Sequence, residues 1–205
     1  MNDLKNQTRT MPEIRPSEEK VKELIVLLSE MSEGDEYFGA TKLNKLLFFT
    51  DFLTYILYGK PVSGYTYQAR PEGPMLKDFY KMRDKMADAK DIVVAKRNFG
   101  GFPQHKTLAL RNADISKFSV EEMNTISHVV AEFRGMSASQ ISTLSHEFLG
   151  WQAVDIGEEI PYEIALVSTA DLTNEEWEFP ENLEIDLTKI GINKDDIVVH
   201  DTKNL

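Results

Sequence analysis

Residues 41–58, TKLNKLLFFTDFLTYILY, constrain the fold more than any other segment of this chain. Leu43, Leu46, Leu47, Phe49, Leu53 and Ile56 recur at helical spacing, and Phe48, Phe52, Tyr55 and Leu57 fill the faces between them. A helix that is apolar all round has no side fit for water, so other elements must surround it. Thr41 is placed to cap it, and Gly59, Lys60 and Pro61 stop it. Of the seven aromatics at 48, 49, 52, 55, 58, 65 and 67, two or three are expected to stay partly exposed.

The other segments supply that surround. Residues 1–16 are polar, contain Pro12 and Pro16, and read as an N-terminal arm. Ser17 caps a helix carrying Val21, Leu24, Ile25, Leu28 and Met31, which ends near Gly34. The segment 62–70 is β-branched and aromatic, as a short extended stretch requires, and Pro71 and Pro74 bracket a rigid loop around Gly73. Met75, Phe79, Met82 and Met86 predict an amphipathic helix over 75–88. DIVVAKRNF and KTLALRN flank Gly100–Gly101 as a β-hairpin with an irregular loop, and helix plus hairpin resemble a winged-helix fragment. Ser119 opens a helix closed by Gly135, and Ser137 with Gln140 forms a capping box for a shorter helix terminated by Gly150. GEEIPYEIAL reads as extended, and LEIDL at 183–187 and DIVVH at 196–200 as edge strands. The expected architecture is α+β: one mostly helical domain over 17–167, with short antiparallel β-hairpins, a central buried hydrophobic helix and an acidic C-terminal extension over 168–205.

A chain of 205 residues with 41% hydrophobic and 28% charged side chains suits one ordinary folded domain. The absence of cysteine excludes disulfides, thiolate zinc sites, iron–sulfur clusters and a cysteine nucleophile. Apolar runs such as LIVLL at 24–28 fall far short of the ~20 residues a membrane span needs, and no leader-like segment opens the chain, so a cytoplasmic protein without membrane contact is expected. The net charge of −11 disfavours binding to a phosphate backbone. Ten acidic and three basic residues lie in 168–205, so the extension carries most of the negative field.

Catalytic signals are weak. Ser145, His146 and Glu147 are adjacent, but neighbours on a helix project about 100° apart and do not converge as a triad. The four histidines are scattered, so a metal site from His146, Glu147 and Asp155 has little behind it, and no phosphate-binding glycine loop occurs. No enzyme activity and no cofactor are expected. Lys77, Lys81, Arg83 and Lys85, with Lys96, Arg97, Lys106 and Arg111, give the alternative of a DNA-binding regulator using the 75–111 helix–hairpin region.

The run TKLNKLLFFTDFLTYILYGKPVSGYTYQARPEGP, 41–74, resembles the opening signature of the Panacea domain, the SocA-like antitoxin family. There a K-L-x-K-L-L-[FY]-[FY]-x-[DQ] helix leads to Y-G-[KR]-P, then to G-x-x-Y and a G-P pair. GMSASQISTLSHEFLGW, 135–151, and IPYEIA, 160–165, are similar to its downstream half, with its S-H-E motif, tryptophan and I-x-Y ending. The resemblance spans about residues 20–166. It places signature positions at Lys42, Leu43, Lys45, Leu46, Leu47, Phe48, Phe49, Asp51, Tyr58, Gly59, Pro61, Gly64, Tyr67, Gly73, Pro74, Ser145, His146, Glu147, Trp151, Ile160 and Tyr162. Thr54 stands where the family commonly has histidine. The resemblance implies an antitoxin that neutralises a neighbour-encoded toxin by direct binding, in at least one member as an adaptor to a Clp-type protease. It also implies a structural or partner-binding role for the signature, with no catalytic residue. Trp177 and Phe179 in the acidic extension are candidates to anchor such a partner, with charge steering the encounter.

Overall fold

A computed structural model of the chain describes residues 14–166. Helix α1, Glu18–Met31, begins as expected at Ser17, whose Oγ accepts the Lys20 N–H at 3.2 Å, and it ends three residues before Gly34. Ile14 and Arg15 already lie against Gly64, and the Ser17 N–H donates to the Ser63 carbonyl, so the end of the expected arm is packed on the body. The rest of the arm, LEIDL, DIVVH, Trp177 and Phe179 lie outside the described residues.

Helix α2, Ala40–Tyr58, is the centre of the molecule. It starts one residue before Thr41: Gly39 is the cap, in extended backbone and with no side-chain bond, and the Gln104 side chain occupies the space where a Cβ at Gly39 would stand. Every residue from Lys42 to Tyr55 is buried. The surround is made of α1, two later helices, two strands and a short turn at 162–166. Gly59 ends the helix with φ at 71°, a conformation that costs a glycine little. Among the seven aromatics, Tyr58 and Tyr65 are the two left half-buried.

A small sheet lies beside α2. Strand β1, Tyr67–Gln68, pairs antiparallel with β2, Met75–Leu76, on one side and β5, Glu159–Ile160, on the other, with Tyr67 opposite both Leu76 and Ile160. The helix expected over 75–88 is therefore shorter. Met75 belongs to β2, Asp78 turns the chain at φ 56°, and α3 runs Phe79–Asp88 with Met82 and Met86 inside. The helical spacing of Met75 and Phe79 is coincidental, because Met75 pairs with Gln68 across the sheet.

Strands β3, Ile92–Phe99, and β4, Phe102–Ala109, form the expected hairpin, but its loop is regular. Gly100 and Gly101, at φ 59° and 86°, make the two-residue turn whose twist suits paired strands. Helix α4, Val120–Phe133, and helix α5, Ala138–His146, each open on a complete capping box, Ser119 with Glu122 and Ser137 with Gln140. Gly150 does not terminate α5, which ends at His146. It lies inside a short helix α6, Leu149–Gln152, where a Cβ would collide with Phe148 and Ile164. Of the stretch expected to be extended after Trp151, only β5 is strand, and residues 162–166 form a 3-10 turn.

Glu122 joins local and tertiary structure. Its carboxylate accepts the Ser119 N–H at 2.9 Å and both its oxygens accept from Lys20 Nζ, at 2.6 and 2.8 Å, which ties α4 to α1. Glu122→Gln keeps the capping acceptor and loses the charge partner, so it should cost about 1 kcal/mol, whereas Glu122→Ala should cost about 2 kcal/mol. Urea unfolding of the two variants checks this, and equal losses would contradict the double role.

Candidate functional site

Four polar side chains of α2, Lys42, Asn44, Lys45 and Asp51, face inward and reach partners outside the helix. Lys42, about 1% exposed, donates to Asp35 Oδ2 at 2.6 Å and to the Met136 carbonyl at 2.7 Å. It thus joins the α1–α2 loop to the α4–α5 turn. Burial works to raise the Asp35 carboxyl, but bonds from Lys42 and from the Tyr37 and Gly135 N–H groups outweigh it and hold the group below the ordinary carboxylate value.

One turn further, Asn44 and Lys45 hold the 70–76 segment. Asn44 Oδ1 accepts the Leu76 N–H at 3.1 Å, and Lys45 Nζ donates to the Pro74 carbonyl at 2.9 Å. Gly73, at φ 95°, presses so closely on this point that a Cβ would overlap Ser145 Oγ and Lys45 Nζ and stand 3.2 Å from the His146 ring. Only glycine fits, by backbone angle and by space. Burial pushes the Lys45 amine down from 10.5 to about 7, opposed by the charge of Glu72.

The S-H-E motif closes on the same turn. Ser145 is buried and its Oγ donates to the Ser142 carbonyl at 2.8 Å, so the hydroxyl is spent within its own helix. The His146 ring lies on Trp151, centroids 4.2 Å apart, and its Nε2 meets no hydrogen-bond partner. Trp151 Nε1 donates to the Arg70 carbonyl at 3.1 Å, and Glu147 is exposed. The trio does not converge as nucleophile, base and orienter. Among the described residues, no group of three or more His, Asp or Glu side chains is placed to hold a metal ion.

At the far end Asp51, fully buried, accepts the Ser63 N–H at 2.6 Å, the Ser63 hydroxyl at 2.5 Å and the Tyr67 hydroxyl at 2.8 Å. Burial pushes its carboxyl up while those bonds pull it down, and burial beside this carboxylate drives the Tyr67 phenol well above its ordinary value. Around the pair, Phe48 meets Tyr67 and Phe148 edge-on, Phe52 stacks on Tyr162 at 4.5 Å, and Phe49 stacks on Phe133 at 4.7 Å. Tyr162 donates its hydroxyl to the Tyr65 carbonyl at 2.7 Å.

The signature positions read from sequence therefore meet around one helix. Tyr58 and Gly59 form its end, and Pro74 supplies the carbonyl for Lys45. Sequence reasoning missed Asp35, Asn44 and Ser63. Asn44 carried a signal, being polar on a face that burial must cover. The basic residues of 75–111 do not form one free surface: Arg111 is clamped by Glu23 at 2.6 Å and Asp91 at 2.7 Å, Lys106 is buried against the Glu33 carbonyl at 2.5 Å, and Lys77 pairs with Glu159 at 2.7 Å. No described helix is long and apolar enough to cross a membrane.

Residues 43–152 match the family model described as antitoxin SocA-like, Panacea domain. The match begins within α2 and runs to the end of α6, so it takes in the turn at Gly73, the hairpin and the S-H-E-x-x-x-W segment. No curated protein matches the chain, and no solved structure does.

Lys45 gives this site a pH signature. With an amine near 7 in the folded chain and 10.5 as its ordinary value, the unfolded chain binds a proton between those limits that the folded chain does not, so this group makes stability rise with pH across that window. Lys45→Met should flatten the rise. Unfolding midpoints measured at pH 7, 8 and 9 on both proteins check it, and an unchanged slope would show that Lys45 titrates normally.

Proposed function

Because the chain belongs to the Panacea-domain family of SocA-like antitoxins, we propose that it neutralises a toxin by direct, stoichiometric protein–protein binding in the cytoplasm, without turnover and without a cofactor. The observation that carries this reading is how the signature is used. Lys42, Lys45, Asp51, Tyr67 and Trp151 are engaged in hydrogen bonds that join α2 and its neighbours, and the Ser145 hydroxyl is spent within its own helix. Such a signature builds a scaffold and leaves the surface to vary, which suits a protein whose task is to fit a partner.

The chemistry agrees. A nucleophile needs a base within hydrogen-bond reach, and Ser145 instead donates to a backbone carbonyl of its own helix. The regulator reading draws little support, since Lys106 and Arg111 are consumed within the fold and the net charge is −11. Delivery of the toxin to a Clp-type protease is a further form of the same reading, distinguished by a shortened toxin half-life rather than by a stable complex.

Co-expression with the product of the adjacent reading frame, scoring growth and then co-purification by size exclusion, tests the proposal. Growth rescue with a stable complex is the expected result. Toxicity that the chain does not relieve, or rescue without any complex or toxin turnover, would overturn it.

A further inference from the structure

The β3–β4 hairpin carries features that the scaffold does not use. Between Asp91 and Asp114 the chain has no acidic residue, although its net charge is −11. β4 lies against α1 and α2 and β3 meets α3, which leaves β3 as the outer strand of a two-stranded sheet. In a two-residue hairpin the residues flanking the turn exchange both hydrogen bonds. Phe99, Arg97, Ala95 and Val93 therefore bond across to β4, and the N–H and C=O groups of Val94, Lys96 and Asn98 point away from it. Among the described residues no backbone group meets them. Lys96 and Asn98 are exposed and Val94 is half-buried, so this edge is open to another strand.

Charge decides which strand fits. Arg97 is turned onto the Glu36 carbonyl and Gln104, while Lys96 has no ion-pair partner among the described residues. A second copy pairing antiparallel about the middle of this edge would set Lys96 opposite its own counterpart, a destabilising arrangement. An acidic strand reverses the sign. At the turn, Phe102 is 75% exposed beside Phe99, which is held by the Tyr37 ring at 5.3 Å and the Arg97 guanidinium at 5.0 Å. Phe99, held by a ring on one side and an arginine on the other, is the composition of a binding anchor.

We propose that the open edge of β3 is a docking strand for an acidic, extended segment of a partner protein. The segment adds as a third strand along Val94, Lys96 and Asn98 and rests an apolar side chain against Phe99 at the turn end of that strand. Taking that partner to be the toxin rests on the antitoxin reading, while the preference for an acidic strand rests on the edge alone.

Amide hydrogen exchange on the full chain, read residue by residue, tests this with a short synthetic peptide alternating Val and Glu and a counterpart alternating Val and Lys. In the free chain the amides of Val94, Lys96 and Asn98 should exchange faster than those of Val93, Ala95 and Arg97. The acidic peptide should slow them at least about tenfold, the lysine peptide should not, and Lys96→Glu should abolish the slowing at an unchanged melting temperature. No slowing by the acidic peptide, equal slowing by both, or outward amides already protected in the free chain by another segment would overturn the proposal. Failed co-expression rescue with peptide protection intact would count against the antitoxin reading alone. Rescue with no peptide protection would count against the edge alone.

Discussion

A polar side chain on a helix buried from every direction has no water to turn to, so its hydrogen bonds must be completed by whatever packs against the helix. That requirement organises this protein. Four polar residues of α2 reach three separate segments: Lys42 the Met136 carbonyl, Asn44 the Leu76 N–H and Lys45 the Pro74 carbonyl of one segment, and Asp51 the Ser63 N–H. Each partner is a backbone group in a loop, a turn or a two-residue strand, where regular pairing is scarce. The helix thereby substitutes for the secondary structure that those segments lack. Apolar packing of Phe48, Phe52 and their ring neighbours supplies the bulk of the burial, and the polar contacts decide which loop lies where.

The same arrangement explains why chemistry-bearing side chains cluster without forming an active site. Lys45, Ser145 and His146 surround Gly73, and in sequence Ser145 and His146 invite a catalytic reading. Lys45 and Ser145 donate to carbonyls of the scaffold, and the His146 ring lies on Trp151. A buried amine near neutrality and a buried carboxyl under burial strain are common in active sites, but structural networks perturb titration for the same physical reasons. Here both groups hold backbone, and the open positions of the molecule lie elsewhere, on the outer strand of the hairpin.

Much of the scaffold was legible in the sequence because the governing rules are local. All-round apolarity announced α2, and Ser17, Ser119 and Ser137 announced three helix starts that their side chains do cap. What could not be read was set by contacts distant along the chain. Gly39 replaces Thr41 as the start of α2, with the Gln104 side chain in the space beside it. Met75 left the helical pattern because the strand it joins pairs with Tyr67 and Gln68. Gly150 looked like a stop, and its role is to let Phe148 and Ile164 approach. Of the site, the signature positions were named from resemblance, but the pairing of Lys42 with Asp35 had no periodicity to announce it.

If α2 holds its neighbours through these side chains, the loops it binds should have no independent opening. Native-state hydrogen exchange measures this directly at the Ser63 and Leu76 amides, which donate to Asp51 and Asn44. The account predicts that both exchange only with global unfolding, at the same free energy and denaturant dependence as the core amides of α2. Exchange of either amide through a local opening of distinctly lower free energy, while α2 stays protected, would contradict it.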